Sequence, residues 1–309
     1  MSGHIVVVGS LNMDLVVRTT RHPQPGETLL GSDFGTSPGG KGANQAVAAA
    51  RAGGKVIMIG RVGEDLFGDQ LIHNLAVDGV DTTYLRRTPA AASGVALITL
   101  DENGQNTIVV AMGANGLLSP QDILDAEDAF QDAAILLLQL EIPLETVSQA
   151  VSLARKYGVR VVLNPAPARI LPENLLKQVD YLIPNENELA LLTGIYALNL
   201  SVDSMRDVVS GAVVATLGGK GILVVEGHER PQRLAAHEVE VVDTVAAGDA
   251  FVGCFGVALA EGKSTLDAAI FGNAAAAISV TRSGAQPSLP NRAEIDTFLG
   301  FTHDHFSAV

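Results

Sequence analysis

The sequence predicts an α/β protein: an open, mostly parallel sheet with helices on both faces, plus a small β-sheet lid. Three observations carry that expectation. Short Val- and Ile-rich runs alternate with Ala-rich helical stretches, several of those runs lack any polar alternation, and two stretches break the pattern. A run that is apolar at every position suits a strand covered on both faces, and strand–helix alternation suits parallel crossovers.

In chain order, residues 5–8 read as the first strand, which stops at Gly9. Residues 15–36 hold Pro23, Pro25, Gly26 and Gly31 with no helical period, so they are assigned to the lid. Residues 43–52 are an Ala-rich helix, 56–59 a strand and 65–77 a helix. Residues 94–112 form the second part of the lid, with strands 95–100 and 107–112. Between them lies Asp101-Glu102-Asn103-Gly104, where Asn-Gly is a strong hairpin signal. A surface hairpin without function is the plain alternative. Beyond it come strand 135–138, helix 144–157 and strands 160–163, 181–183, 213–217 and 222–225, then helices 250–260 and 265–281. The Pro pair in Asn164-Pro165-Ala166-Pro167 marks a loop after a strand, and no repeat or linker divides the chain. The 309 residues therefore read as one domain with a lid at about 15–36 and 94–112.

Composition narrows the function. At 47% hydrophobic and 17% charged, the chain can bury a large core and is not disordered or low-complexity. Its 20 basic and 34 acidic residues give a net charge of −14, which argues against nucleic-acid partners and anionic membranes. Aromatics make up 4% and Trp is absent, so a base-stacking platform is not expected. The one cysteine, Cys254, has no internal disulfide partner and reads as packing in a reducing cytoplasm. Met1-Ser2-Gly3-His4 lacks a basic leader, and every apolar run is interrupted before the roughly 18 residues of a spanning helix. The expectation is a soluble cytoplasmic protein with no membrane partner.

Four motifs could carry chemistry. Pro38-Gly39-Gly40-Lys41-Gly42-Ala43-Asn44-Gln45 runs into a helix. Residues 35–41 fit the start of a P-loop, but Gly42 stands where the Mg²⁺-binding hydroxyl would be, so a P-loop is rejected. What remains is a Gly-rich entry with Lys41 and Asn44 as donors to a polar ligand, or a plain turn. In Asp243-Thr244-Val245-Ala246-Ala247-Gly248-Asp249, small residues at a helix start leave N–H groups bare as an anion site. Asp249 is there either a cap or a general base, and the bareness before it favours the base. Asn185 and Glu188 in Pro184-Asn185-Glu186-Asn187-Glu188 share a helical face, which suits Mg²⁺ held through water or, in isolation better, a capping box. Thr216-Leu217-Gly218-Gly219-Lys220-Gly221 is a Gly-rich turn against which a nucleotide could lie, or a hairpin turn.

Together these motifs resemble the ribokinase-like carbohydrate kinases, also called the PfkB family. Asp243 to Asp249 is similar to the C-terminal signature D-T-x-[GA]-A-G-D, Gly39 to Asn44 to the N-terminal one, and Asn185 to Glu188 to N-x-x-E. Gly9-Ser10-Leu11-Asn12-Met13-Asp14, Gln139-Leu140-Glu141 and Leu163-Asn164-Pro165-Ala166-Pro167-Ala168 support it, over essentially the whole chain.

The resemblance implies an ATP-dependent sugar kinase making D-ribose 5-phosphate from D-ribose. Deoxyribose, another pentose, a hexose or a nucleoside is the alternative substrate, and a non-catalytic sugar-binding regulator is the alternative class. It implies that Asn12, Asp14, Gly40, Lys41, Asn44 and Glu141 hold the sugar. Asp249 would be the base, and Ala246, Ala247 and Gly248 the N–H anion hole. Asn185 and Glu188 would position Mg²⁺ and phosphate, and Thr216, Leu217, Gly218, Gly219, Lys220, Gly221, Gly248 and Asn273 would bind ATP. K⁺ or another monovalent cation would lie at Asp243, Val245, Ser279, Arg282, Gly284 and Ser288, mostly through carbonyls. A homodimer through the lid sheets is implied as well. Two departures stand out: Ala246 replaces the signature glycine, and the stretch 193–213 is short, predicting a reduced or missing helix there.

Overall fold

The computed structural model describes residues 3–306, so Met1 and Ser2 of the N-terminal reading lie outside the described residues. The elements run β1 (His4–Val8), β2 (Asn12–Arg18), β3 (Asp33–Gly39), α1 (Lys41–Arg51), β4 (Val56–Gly63), α2 (Leu66–Val77) and β5 (Asp81–Thr88). Then come β6 (Gly94–Leu100), β7 (Asn106–Ala111), α3 (Pro120–Asp125), β8 (Ala133–Leu138), α4 (Leu144–Tyr157), β9 (Arg160–Leu163), α5 (Glu173–Leu176) and β10 (Tyr181–Leu182). The last are α6 (Glu186–Thr193), α7 (Leu198–Arg206), β11 (Ala212–Thr216), β12 (Ile222–Glu226), β13 (Gln232–Leu234), α8 (Ala247–Ala260), α9 (Thr265–Ser279) and α10 (Arg292–Phe306).

Nine strands form the main sheet in the order β13-β12-β11-β10-β9-β8-β1-β4-β5. All pairs from β11 to β5 are parallel, and β12 and β13 add antiparallel at one edge. The apolar runs explain themselves here. Ile5 and Val7 of β1 enter the core under α1, α8 and α9, while Val6 and Val8 enter the core under α3 and α4. Ile135 and Leu137 of β8 divide from Leu136 and Leu138 in the same way. Alternate side chains point to opposite faces, and both faces are covered, so no position tolerates a polar group.

A second, smaller sheet has four strands in the order β3-β2-β6-β7, antiparallel except for the β2–β6 pair, and is the sheet expected as a lid. The 6–7 hairpin turns through Asp101–Gln105, where Asp101 accepts from the N–H groups of Asn103 and Gln105 (2.9 Å each) and Gly104 sits at φ 76°. The turn is therefore longer than a two-residue Asn-Gly turn.

Several expectations are corrected. The 15–36 segment belongs to a longer β unit, because β2 already starts at Asn12 and β3 runs on to Gly39. The edge strands β5 and β13 carry exposed polar residues, including Arg86, Arg87 and Gln232, and show no apolar run. Helices α1 and α8 begin at Lys41 and Ala247, each a turn or less earlier than expected, because their first residues are small and polar rather than apolar. The short 193–213 stretch, expected to hold a reduced or missing helix, does hold one: the nine-residue α7, which buries Val202 and Met205. Among the described residues, no helix is long and apolar enough to cross a membrane.

Candidate active site

The carboxyl ends of parallel strands are where an open α/β sheet presents a crevice. Here the ends of β1 and β8 meet the starts of β2, α1 and α8. Gly40 and Gly42 make that meeting possible. Gly40 adopts φ 90°, and a Cβ on it would lie 2.7 Å from the Asn12 nitrogen; a Cβ on Gly42 would lie 2.6 Å from the Ser10 nitrogen. Only bare backbone lets α1 start this close to the β1–β2 connection.

Glu141, just past β8, is drawn to the same point. Its Oε2 accepts from Ser10 Oγ (2.5 Å) and from the Lys41 N–H (3.2 Å). Asn12 is buried and its carbonyl oxygen accepts from Asn115 Nδ2 (2.8 Å), which leaves the Asn12 amide NH₂ as a donor. Asn115 also clasps Leu11 through both its N–H and its C=O (2.9 Å each). It lies in a short 3₁₀ turn after β7, and no motif or spacing singles it out.

Asp249 stands in the first turn of α8, 6% exposed. It does not cap the helix. Asn44 Nδ2 donates to its Oδ2 and Gln45 Nε2 to its Oδ1, both at 3.0 Å. Ala246, at φ 60°, precedes the helix without any side-chain cap. The Ala247 N–H reaches the Thr244 carbonyl only at 3.4 Å, and among the described residues the N–H groups of Ala246, Gly248 and Asp249 have no acceptor. With the helix dipole, such N–H groups attract an anion.

The charges here are coupled. Burial pushes the Asp249 carboxyl up; Lys41 and the two amides oppose that, and the net direction is upward. Burial pulls the Lys41 ammonium down, but Asp249, Glu141 and Glu188 outweigh it and keep it protonated. Asp14 is pushed up to about 7 by burial, then by Glu141 and Asp249. Two buried oxygens, Asn44 Oδ1 and Gln139 Oε1, have no partner among the described residues. A buried orphan acceptor costs stability unless a ligand or water meets it.

Asn185 and Glu188 form the capping box of α6, each side chain bonded to the other's backbone N–H at 2.8 Å. Glu188 is nonetheless buried, and burial is the main cause of its raised carboxyl. Next to it opens a cavity of about 790 Å³, which brings together Asn185, Thr216, Gly218, Gly219, Lys220, Gly221, Gly248 and Asn273. Leu217 does not line it; its side chain is buried in the apolar core on the other face. The Lys220 ammonium pairs with Glu186 at 3.3 Å. The opposite wall, residues 235–241, has irregular backbone and no sequence signal. His237 on it packs edge-on against Phe298 (centroids 4.9 Å apart), and burial lowers its pKa. Asn273 Nδ2 ties α9 to that wall through the Ala235 carbonyl (2.9 Å).

Behind the start of α8, Asp243 holds two loops together. Its Oδ1 accepts from the Val245 N–H (3.0 Å) and its Oδ2 from the Gly284 N–H (2.9 Å). The hydroxyls of Ser279 and Ser288 donate to nearby backbone carbonyls, and the Arg282 guanidinium pairs with Glu294. Among the described residues no cluster of three or more His, Cys, Asp and Glu could hold a metal.

A doubly covered parallel sheet, a bare helix start and a buried carboxylate beside it define an α/β phosphoryl-transfer enzyme acting on a small polar acceptor. The family model for the pfkB family of carbohydrate kinases matches residues 2–292, and the chain belongs to that family. A ribokinase of Haemophilus influenzae is 42% identical over 300 residues, covering 96% of this chain and 98% of the relative. A deoxyribokinase of Salmonella typhi is 39% identical over 304 residues, with 96% and 98% covered. The structure of Arabidopsis thaliana ribokinase complexed with ribose and ATP superposes with a TM-score of 0.90 at 35% identity, covering 97% of this chain and 99% of that one.

Proposed function

We propose that this kinase transfers the γ-phosphoryl group of ATP to the primary hydroxyl of D-ribose, giving D-ribose 5-phosphate and ADP. The observation that carries this reading is the Asp249 carboxylate. It is buried and held by two amides at a helix start whose N–H groups are bare. The Arabidopsis relative, complexed with ribose and ATP, supports the substrate pair.

Asp249 takes the proton as the hydroxyl oxygen attacks phosphorus and the bond to the leaving ADP oxygen breaks. The N–H groups of Ala246, Ala247 and Gly248 meet the charge on the phosphoryl oxygens, and Lys41 adds a positive charge on the sugar side. Asn12, Asp14, Gly40, Asn44 and Glu141 hold the sugar, with the orphan Asn44 Oδ1 accepting a sugar hydroxyl. Thr216, Leu217, Gly218, Gly219, Lys220, Gly221 and Asn273 belong to the ATP site, Leu217 through its backbone.

The buried Glu188 carboxylate fits Mg²⁺ chemistry, and Asn185 and Glu188 would hold that ion through water. Mg²⁺ supplies charge neutralisation on the phosphates. The Asp243 clasp fits a monovalent-cation site built from carbonyls around Asp243, Val245, Ser279, Arg282, Gly284 and Ser288, and K⁺ there would steady the anion-hole loop. The lid is part of one kinase domain rather than a separate unit. The fully exposed β7, with Ile108, Val109 and Val110, supports a homodimer in which two lids pack together. The single buried Cys254 fits a cytoplasmic protein.

An ADP-release assay with D-ribose, 2-deoxyribose, hexoses and nucleosides tests the substrate. Strongest turnover on D-ribose is expected, and weak turnover on D-ribose beside strong turnover on another acceptor overturns the choice. Deoxyribose is the second reading, favoured by the 39% identity to a deoxyribokinase. Ribose binding by calorimetry without ADP release would point instead to a sugar-binding regulator.

A further inference from the structure

Beyond the groups given roles above, the floor of the site holds a chain of buried amides. Gln45 is wholly buried. Its Nε2 donates to Asp249 Oδ1 (3.0 Å) and to Asn164 Oδ1 (3.2 Å), and its Oε1 accepts from Gln139 Nε2 (2.6 Å). Asn164 Nδ2 in turn donates to the backbone carbonyl of Ile183 (2.9 Å).

That last contact fixes the direction of the whole chain. A carbonyl can only accept, so Asn164 must turn its NH₂ to Ile183 and its oxygen to Gln45. Gln45 must then point its NH₂ at Asn164 and Asp249, and its oxygen at Gln139. Both Gln45 N–H groups are donated, so Oδ1 of Asp249 always faces a donor.

We propose that Gln45 is a positioning residue for the phosphoryl-transfer base: oriented from Ile183 through Asn164, it holds Asp249 in the acceptor state, while Asn44 binds the other carboxylate oxygen. This rests on Asp249 being the base. The arrangement costs the fold an orphan, Gln139 Oε1, which is buried without a partner. Asp249 also meets Lys41 from α1, Glu141 from beyond β8, Asp14 from β2 and Glu188 from α6. Three of these four are acidic and oppose its ionisation, so the amide donors matter.

The test uses the full chain with ATP, Mg²⁺, K⁺ and D-ribose, following kcat from acid to alkaline pH. Gln45→Met keeps the side-chain length and removes the donor. kcat at neutral pH should fall roughly tenfold to a hundredfold, the loss of one hydrogen bond to a charged group. The acid limb of the profile should move up by about one pH unit, with ribose affinity by calorimetry unchanged within about threefold. A folded Gln45→Met variant whose acid limb stays in place overturns the proposal, because a merely structural loss lowers kcat without moving the limb. If that variant does not fold, Gln45→Glu preserves shape and the acceptor for Gln139. Its second carboxyl facing Asp249 should move the limb further up, and an unmoved limb again overturns the proposal. Asp249→Asn serves as the control: retained turnover in it sinks the base assignment itself, a different failure from an unmoved limb in the Gln45 variants.

Discussion

Two acidic side chains at the site answer to pH in distinguishable ways. With Asp249 as the proposed base, Asp249→Asn should lower kcat by roughly 10²- to 10⁴-fold, the usual share of a general base. Calorimetry should find ribose binding retained, since the amide keeps the shape. Asp14 is proposed to act in sugar binding. Its folded-state pKa of about 7 lies above its ordinary 3.8, so the folded protein binds the proton more tightly than the unfolded chain does. Its stabilising contribution is therefore full below about 4 and is lost as pH rises towards 7. Sugar hydroxyls donating to the carboxylate would favour the ionised form. Ribose affinity should thus increase as pH rises through about 7, with proton release on binding seen as a buffer-dependent calorimetric heat. Asp14→Asn should flatten that dependence. Ala246 is a third residue-scale case. At φ 60° it holds a conformation that costs an L-residue roughly 1–2 kcal/mol. Ala246→Gly should raise stability by about 1 kcal/mol in denaturant melts, with near-normal kcat, because the backbone N–H is unchanged.

At the scale of elements, the approach of α1 to β1 is the tightest tolerance. Gly42→Ala would set a methyl 2.6 Å from the Ser10 nitrogen and push α1 away, moving Lys41, Asn44 and Gln45 together. A raised ribose KM and a lowered kcat are expected together, and kinetics within twofold of the parent would show that α1 can shift without consequence. The lid makes a separate prediction. If two copies pair through β7 as proposed, Val109→Lys should shift sedimentation from dimer to monomer while leaving the helical circular dichroism unchanged, because that side chain is 65% exposed in its own chain.

Elements also show where the sequence was readable. The central strands announced themselves because both faces are buried, as Ile5 to Val8 show. β5 did not, since an edge strand with Arg86 and Arg87 directed to water follows no apolar rule. Asp249 and Asn44 were legible because they stand in compact motifs at helix starts. Gln139 and Asn164 appeared only as parts of resembling stretches, and Asn115 not at all. Their partners lie 94, 119 and about a hundred residues away, and an amide has no periodicity to betray its contacts. The 235–241 wall of the cavity is irregular backbone held at its ends, which leaves no pattern to read.

For the whole molecule, the proposed site would reconcile the charge of −14 with an anionic substrate locally, through bare N–H groups and Lys41 rather than a basic surface. The remaining surface repels itself. Raising a neutral, non-specific salt from about 10 to 200 mM shortens the screening length and should raise the Tm by about a few degrees; an unchanged Tm would show that the acidic groups are already compensated by their own ion pairs. The sheet order carries a consequence of a different kind. β1 lies between β4 and β8, and Ser10 meets Glu141 across 131 residues, while Asn44 meets Asp249 across 205. Local helices can form before such distant partners find each other, because closing long loops is slow. On dilution from denaturant, the helical signal should therefore return ahead of kinase activity: the first half of the chain, up to Glu141, supplies the proposed sugar pocket, but the proposed base arrives only with α8, late in the chain.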